Sequence, residues 1–401
     1  MQTISLTDAR NMLLAAQGLS QPPRRPARKP DVLAAIRRMG ALQIDTISVI
    51  ARSQHLVLWT RLGDFKLDWL DELLAEGKLF EYESHAMCFL PIEDYPLYRR
   101  VMLDGPRGWR SAGPWMKEHA ALVKHVRARI RREGGLRSAD FETDQKRDGA
   151  WWYWKDEKTA LECLFITGDL MIARRQAFQR VYDLRTRVLP GWQDGPRAAN
   201  VPSRDEVLMT FTRRAVERLG VAHANWVPGY YKLPKTGNLQ RLEALAAAGK
   251  VKRVALEGLP GPAYLSQRAQ ARPSSVTTLL SPFDPLVRDR RLLKELFGFD
   301  YTIETYTPAH KRRFGYFTLP ILHRGAIVGR VDPKAHRALG QFEVKAVALE
   351  PGIEPTDDLV AGLADALRRL AAWHGTPQVS VRRSEPAGLA ERLLAAVNQA
   401  I

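Results

Sequence analysis

The chain has 401 residues, of which 45% are hydrophobic and 26% charged, a balance that excludes a disordered or fibrous chain and suits a folded protein of several domains. Its 61 Lys plus Arg outweigh 44 Asp plus Glu, giving a net charge of +17 that attracts polyanions such as nucleic-acid phosphates, although GC-biased codons produce the same excess of Arg. Two cysteines, Cys88 and Cys163, exclude a disulfide framework and a thiolate zinc site, and no window approaches the roughly 18 apolar residues of a membrane span, so the expectation is a cytoplasmic, nucleoid-associated protein with no metal, no cofactor and no membrane partner.

Apolar residues at 6, 9, 12, 13 and 16 predict a helix over 5–16 with Ser5 or Thr7 as its cap. A Pro-rich basic run over 21–30 interrupts the chain before a second helix over 31–39. A third helix over 65–76 and two short strands over 78–90 follow. Three helices and a hairpin are the order of a winged helix, a helix-turn-helix variant with a β-ribbon after its third helix.

The order recurs. A long helix over 115–132, a short one near 138–142, a helix over 156–167 and a hairpin over 170–184 turning near Arg175 and Gln176 make a second round. Helices over 203–220, 221–227 and 237–249, then a hairpin over 251–265 turning at Glu257 and Gly258, make a third. Between them stands the tetrad Trp151, Trp152, Tyr153 and Trp154, which either caps a core or offers bases a stacking platform.

From about residue 272 the texture changes to strands, expected over 301–306, 316–322, 326–331 and 342–349. His323, Arg324 and Gly325 form a turn, 333–340 a longer basic loop, and helices over 356–373 and 383–401 close the chain. In the segment L-S-P-F-D-P-L-V-R-D-R-R, residues 280–291, the prolines suggest an architectural turn with Phe283 buried and Asp284 or Asp289 paired to an Arg. The expected class is α+β, with three tandem winged-helix domains over 1–103, 104–198 and 199–271 and a C-terminal β-barrel-like domain with flanking helices over 272–401. The chain is expected to act as a monomer.

The stretch A-L-Q-I-D-T-I-S-V-I-A-R-S-Q-H-L-V-L-W-T, residues 41–60, carries the candidate chemistry. If 43–49 is extended, Gln43, Asp45 and Ile47 share one face. An amide that holds a water beside a carboxylate that accepts its proton is a minimal hydrolytic pair. Equally, Asp45 caps a turn or helix starting at Thr46 while Gln43 satisfies nearby backbone, and the residues alone leave both readings open.

Phosphate loops, His-Glu zinc helices and nucleophile elbows are missing from the sequence, which disfavours nucleotide hydrolysis, zinc deamination and serine hydrolysis. What remains is a carboxylate and a basic docking surface. Arg52 and His55 follow the pair directly, His55 with the alternative role of a part-buried helix histidine. Arg174, Arg175 and Arg180 lie on the second hairpin, where winged helices meet phosphate. His323, Arg324, Lys334, His336 and Arg337 lie in the C-terminal turns, either solvated or inserted into a DNA groove.

Several long segments resemble the winged-helix DNA glycosylases of the AlkZ and YcaQ (AlkX) family. They are Q-I-D-T-I-S-V-I-A-R-S-Q-H-L-V-L-W-T-R at 43–61, the segment at 280–291, F-G-F-D-Y-T-I-E-T-Y-T-P-A-H-K-R-R-F-G-Y-F-T-L-P-I-L at 297–322, and V-G-R-V-D-P-K at 328–334. One branch of that family carries Gln-apolar-Gln and the other Gln-apolar-Asp; Gln43, Ile44 and Asp45 match the second, the YcaQ branch. The resemblance implies three winged helices and a barrel wrapped around damaged or crosslinked double-stranded DNA, excision of alkylated purines such as N7-alkylguanine, and unhooking of interstrand crosslinks. It implies that Asp45 and Gln43 are the catalytic residues. A non-catalytic winged-helix transcription or architectural factor is the alternative, and an RNA-binding module a third.

Overall fold

A serine hydroxyl starts the first helix. In the computed structural model, which describes residues 2–105, 112–141, 156–192 and 200–399, Ser5 Oγ accepts from the Asp8 N–H at 3.0 Å. Strand β1 (Thr3–Ile4) precedes α1 (Leu6–Gln17), which Gly18 closes in the left-handed conformation. Helix α2 (Lys29–Met39) begins where the Asp31 carboxylate reaches back to the Arg28 N–H at 2.8 Å. Then come β2 (Leu42–Gln43) and α3 (Ser53–Leu62). The tetrad at 151–154 lies outside the described residues.

The chain divides into two compact units, Met1–Lys66 with Met209–Ile401 and, inserted between them, Leu67–Leu208. The expected segment 1–103 is therefore cut after Lys66. The inserted unit contains α4 (Asp68–Ala75), the antiparallel hairpin β3 (Leu79–Glu83) and β4 (Met87–Pro91), and α5 (Tyr95–Asp104). The single helix expected over 115–132 is two, α6 (Ala112–Glu118) and α7 (Ala120–Glu133). His119 breaks them apart, with φ −106° and ψ 35° and its ring stacked on Trp115 at 4.3 Å between centroids.

A 3-10 turn (Ser138–Phe141) and α8 (Asp156–Ile166) lead to the hairpin β5 (Leu170–Gln176) and β6 (Gln179–Leu184), then α9 (Arg185–Val188). The hairpin turns at Ala177 and Phe178, both at positive φ, rather than at 175 and 176. Two successive residues at positive φ give the turn whose twist matches paired strands, so backbone geometry selected the position. Aromatic edges fill this unit's core: Tyr82 meets both Tyr98 and Phe165, and its hydroxyl donates to the Ile166 carbonyl at 2.5 Å.

Helix α10 (Arg204–Leu219) buries Val207, Phe211, Ala215, Val216 and Leu219 at helical spacing. The helix expected over 221–227 is instead β7 (Val221–His223) followed by α11 (Val227–Tyr231). Pairing with β9 overrides local propensity there, Val221 opposite Leu265. Helix α12 (Asn238–Ala247) and the hairpin β8 (Val251–Leu256) and β9 (Leu259–Ser266) complete a four-stranded sheet of order β1-β8-β9-β7.

The C-terminal part is a six-stranded half-barrel sheet. Strands β10 (Thr277–Leu279), β11 (Leu319–His323), β12 (Ala326–His336), β13 (Gln341–Leu349) and β14 (Gln378–Val381) are adjacent in that order, and β15 (Ser384–Glu385) pairs with β13. Helix α13 (Arg290–Phe297) lies between β10 and β11 in the chain, α14 (Asp357–His374) packs on β10, β11 and β14, and α15 (Leu389–Gln399) packs on α14. The strand expected over 301–306 is irregular, because 304–307 turns back on itself with the Thr307 N–H on the Glu304 carbonyl at 3.0 Å. The loop expected over 333–340 is mostly strand: β12 runs on to His336, and only Arg337–Leu339 turns.

One ion pair joins distant parts of the first unit. Arg61, near the end of α3, donates to both oxygens of Asp284 at 2.6 and 3.0 Å, and its side chain is 3% exposed against 0% for Asp284. The same guanidinium donates to the carbonyls of Gln17 and Val57 and to Thr60 Oγ1. Phe283, expected buried, is half-buried, whereas Asp289 caps α13. Since removing one partner of a buried pair leaves the other charge uncompensated, Asp284→Ala should lower stability by about 3–5 kcal/mol. Breaking the exposed Arg291–Glu295 pair by Arg291→Ala should cost under about 1 kcal/mol. Urea denaturation of the two variants checks this, and equal midpoints refute it.

Candidate active site

The strand that starts the candidate site is short. Strand β2 ends at Gln43, so the alternating face expected over 43–49 does not form. The reason is Asp45, whose Oδ1 accepts from the Ile47 N–H at 2.8 Å and folds the chain into a turn closed by its own side chain. The Asp45 N–H, instead of joining a ladder, donates to Gln54 Oε1 at 3.1 Å. The turn reading of Asp45 is thus correct as geometry, but Gln54 and not Gln43 satisfies the backbone.

Gln54 was not among the residues singled out from sequence. It sits in the first turn of α3, 1% exposed, followed by the buried Leu56, Val57, Leu58 and Trp59. A polar side chain inside so apolar a run was the available signal. A buried amide needs partners, and this one's lies nine residues back in the chain.

The half-barrel holds the rest of the loop over 44–52. The Ala335 N–H of β12 donates to the Val49 carbonyl at 3.3 Å. Arg337 donates to Ser48 Oγ at 3.3 Å and to the Ile50 carbonyl. Arg337 is therefore brought to the candidate pair, as an anchor of its loop. Gln43 and Asp45 are both half-buried, Thr46 and Ser48 exposed, and among the described residues Gln43 and Asp45 share no hydrogen bond. Burial pushes the Asp45 carboxyl above its ordinary value, against the opposing pull of the Ile47 and Thr46 N–H groups.

His55 sits edge-on to Phe65, ring centroids 6.4 Å apart. Burial first, and the Arg52 charge second, push its imidazole down to about 4, so it is neutral at physiological pH and brings no positive charge to a phosphate. Arg52 itself precedes α3 as its N-cap residue.

The second hairpin belongs to the inserted unit. Arg174 is exposed, but Arg175 donates to both oxygens of the fully buried Glu81 at 2.5 and 2.8 Å and its side chain is only 4% exposed. Arg180 bonds Glu162 at 2.9 Å and lies 3.6 Å from Glu81. Two guanidinium groups and two carboxylates compensate one another, so of these three only Arg174 projects to solvent.

The turn at 323–325 is likewise engaged. His323 contacts Thr277 Oγ1 at 2.9 Å and Asp358 at 3.3 Å, and Arg324 pairs with the same Asp358. Arg324 and Asp358 line a cavity of about 250 Å³ with Trp59, Thr277 and Arg369, which Gln43 and Asp45 do not reach. His336 bonds Glu343 at 2.7 Å, whereas Lys334 on the same strand is exposed.

With this geometry in place, comparison with known proteins is informative. Residues 36–373, most of the chain, match the model of the DNA glycosylase AlkZ-like family. The fold is similar to that of Streptomyces sahachiroi DNA glycosylase AlkZ, with a TM-score of 0.61 at 14% identity over 95% of this chain and 100% of that one. On the extent of the family match, this chain belongs to the AlkZ-like DNA glycosylases.

Proposed function

We propose that this DNA glycosylase releases N7-alkylated purines from duplex DNA, including purines held in interstrand crosslinks, with Asp45 as the catalytic carboxylate and Gln43 as its assistant. The observation that carries the reading is the Asp45 side chain. One oxygen is held by the Ile47 N–H, the backbone behind it is held by the buried Gln54, and the carboxylate stays half-exposed in an open loop. A carboxylate fixed in direction yet reachable by solvent suits a group that meets a water and a sugar cation together.

N7-alkylation gives the purine a positive charge, so cleavage of the N-glycosidic bond releases a neutral base and leaves an oxocarbenium-like sugar. In the proposed reaction Asp45 stabilises that cation and takes the proton of the water that attacks the anomeric carbon, while the Gln43 amide orients the water. A crosslinked base is tethered to the opposite strand and cannot swing into a deep pocket, whereas base-extruding enzymes require that freedom. A half-exposed turn accommodates the tether.

In the same reading the three helix-and-hairpin rounds over 1–103, 104–198 and 199–271 are winged helices, and the half-barrel sheet belongs to a barrel-like domain over 272–401. Arg174 and Lys334, both exposed and on hairpin strands, are the proposed phosphate contacts of the wing and the barrel. Arg52, Arg324 and Arg337 lie on the elements nearest the candidate site or its turns, and their place in the complex is part of the proposal.

Asp45→Asn should slow single-turnover release of N7-methylguanine by roughly 10²–10⁴-fold, the usual worth of a general base, with duplex affinity nearly unchanged. Unchanged release by this variant would sink the assignment. Because burial raises the Asp45 carboxyl from its ordinary 3.8, the acid limb of the pH–rate profile should fall off above that value, as protonation removes the base. Rates measured from pH 3.5 to 8 test it, an acid limb at or below 3.8 being the contrary result. Gln54→Ala should leave the Asp45 N–H unsatisfied, costing about 1–3 kcal/mol of stability and slowing release in proportion to the disorder of the turn. Thermal denaturation beside the release assay separates the two effects.

A further inference from the structure

The segment over 304–316, T-P-A-H-K-R-R-F-G-Y at its centre, is held from within and charged on the outside. Glu304 Oε1 accepts from the Arg313 N–H at 2.8 Å, and its Oε2 accepts from the N–H groups of Phe314 and Gly315 at 2.9 and 3.0 Å. The Phe314 ring lies under the Arg330 guanidinium at 3.9 Å, and Arg330, 4% exposed, pairs with Glu350 at 2.7 Å. Gly315 has φ +141°, and a Cβ there would stand 2.2 Å from Asp332 Cγ, so no other residue fits. Three buried or half-buried charges thus hold this one irregular segment.

What they present is a set of exposed cations and one unsupported ring. Tyr306 is 91% exposed, Lys311 and Arg313 are exposed, and among the described residues neither of these cations enters an ion pair. Arg312 donates to the Thr307 carbonyl at 2.8 Å and covers the Tyr316 ring at 4.9 Å. A large ring left in water beside unpaired cations is what a stacking contact to nucleic acid requires. Position agrees. Asp332, against Gly315, lies three residues before Ala335 on β12, and Ala335 bonds Val49 of the candidate loop. Three strand residues span roughly 10 Å, about three base steps at ~3.4 Å per step.

We propose that the segment over 304–316 is a second DNA-binding element beside the candidate site, in which Lys311 and Arg313 hold phosphates of one strand and Tyr306 stacks on a nucleobase that the lesion leaves unpaired. This rests on the reading of the chain as an enzyme acting on damaged duplex DNA. The Glu304 nest keeps the cations on a rigid base, so their order is in place before DNA arrives.

The test measures duplex affinity by fluorescence anisotropy across salt concentration for the full chain, and release of N7-methylguanine in parallel. In Lys311→Gln/Arg313→Gln the slope of log affinity against log salt should fall by roughly 0.9 per lost phosphate contact. Thermal midpoint should stay put, as both side chains are in water. Tyr306→Ala should weaken binding to duplex with one unpaired base by roughly tenfold, while Tyr306→Phe retains it and fully paired duplex is unaffected. A wild-type slope in the double variant, or equal loss in Tyr306→Ala and Tyr306→Phe, overturns the proposal even if wild-type release is normal. Failure of the wild-type chain to release the base overturns the functional reading instead, and the salt slopes still decide the role of the segment.

Discussion

The buried pair of Arg61 with Asp284 is the constraint on which the candidate site depends. A guanidinium 3% exposed must find acceptors for its donors, and this one takes them from the end of α1, from α3 itself and from the turn before α13. Helix α3 can satisfy all of them in only one rotation about its axis. That rotation places Gln54, in the first turn, where its amide receives the Asp45 N–H. The orientation of the proposed catalytic carboxylate is thus inherited from a charge pair at the opposite end of the same helix. Hydrophobic burial alone would stabilise α3 over a range of rotations, since apolar packing is not directional.

The same physics explains why net charge is a poor map of a binding surface. A charge of +17 correctly pointed to a polyanion, but several of the arginines suspected of meeting it are consumed internally. Arg175 and Arg180 neutralise Glu81 and Glu162 within the inserted unit, Arg337 holds the loop over 44–52, and Arg330 supports a ring. Burying a carboxylate such as Glu81, fully enclosed, requires a partner of matched geometry, and the bidentate guanidinium supplies it. The cations left for DNA are less conspicuous ones such as Arg174, Lys311, Arg313 and Lys334.

Elements with sustained periodicity or a strong cap were legible in the sequence: α1 behind Ser5, α14 behind Thr356, and the hairpin of β8 and β9 at its Glu257 and Gly258 turn. Where long-range partners decide, letters were insufficient. Residues 221–223 became a strand because β9 was there to pair with, and 333–336 extended β12 for the same reason with β13. At the site itself Gln43 and Asp45 were visible as polar residues beside an apolar one. The turn that fixes Asp45 depends on Gln54, nine residues later, a partnership that no local pattern encodes.

On the proposed chemistry, the site is notable for having a base beside it but no evident acid. His55, next to Gln54 in the first turn of α3, holds its proton only below about 4 and cannot protonate a leaving purine near neutral pH. A normal purine leaves poorly without such a proton, whereas an N7-alkylated one already carries the positive charge that protonation would give it. A lone carboxylate of raised affinity for protons, on an open turn, therefore selects by chemistry what it does not need to enclose by shape. Discrimination against undamaged bases then comes from their reactivity rather than from a fitted pocket. Such a site tolerates bulky or tethered adducts for the same reason that it ignores intact DNA.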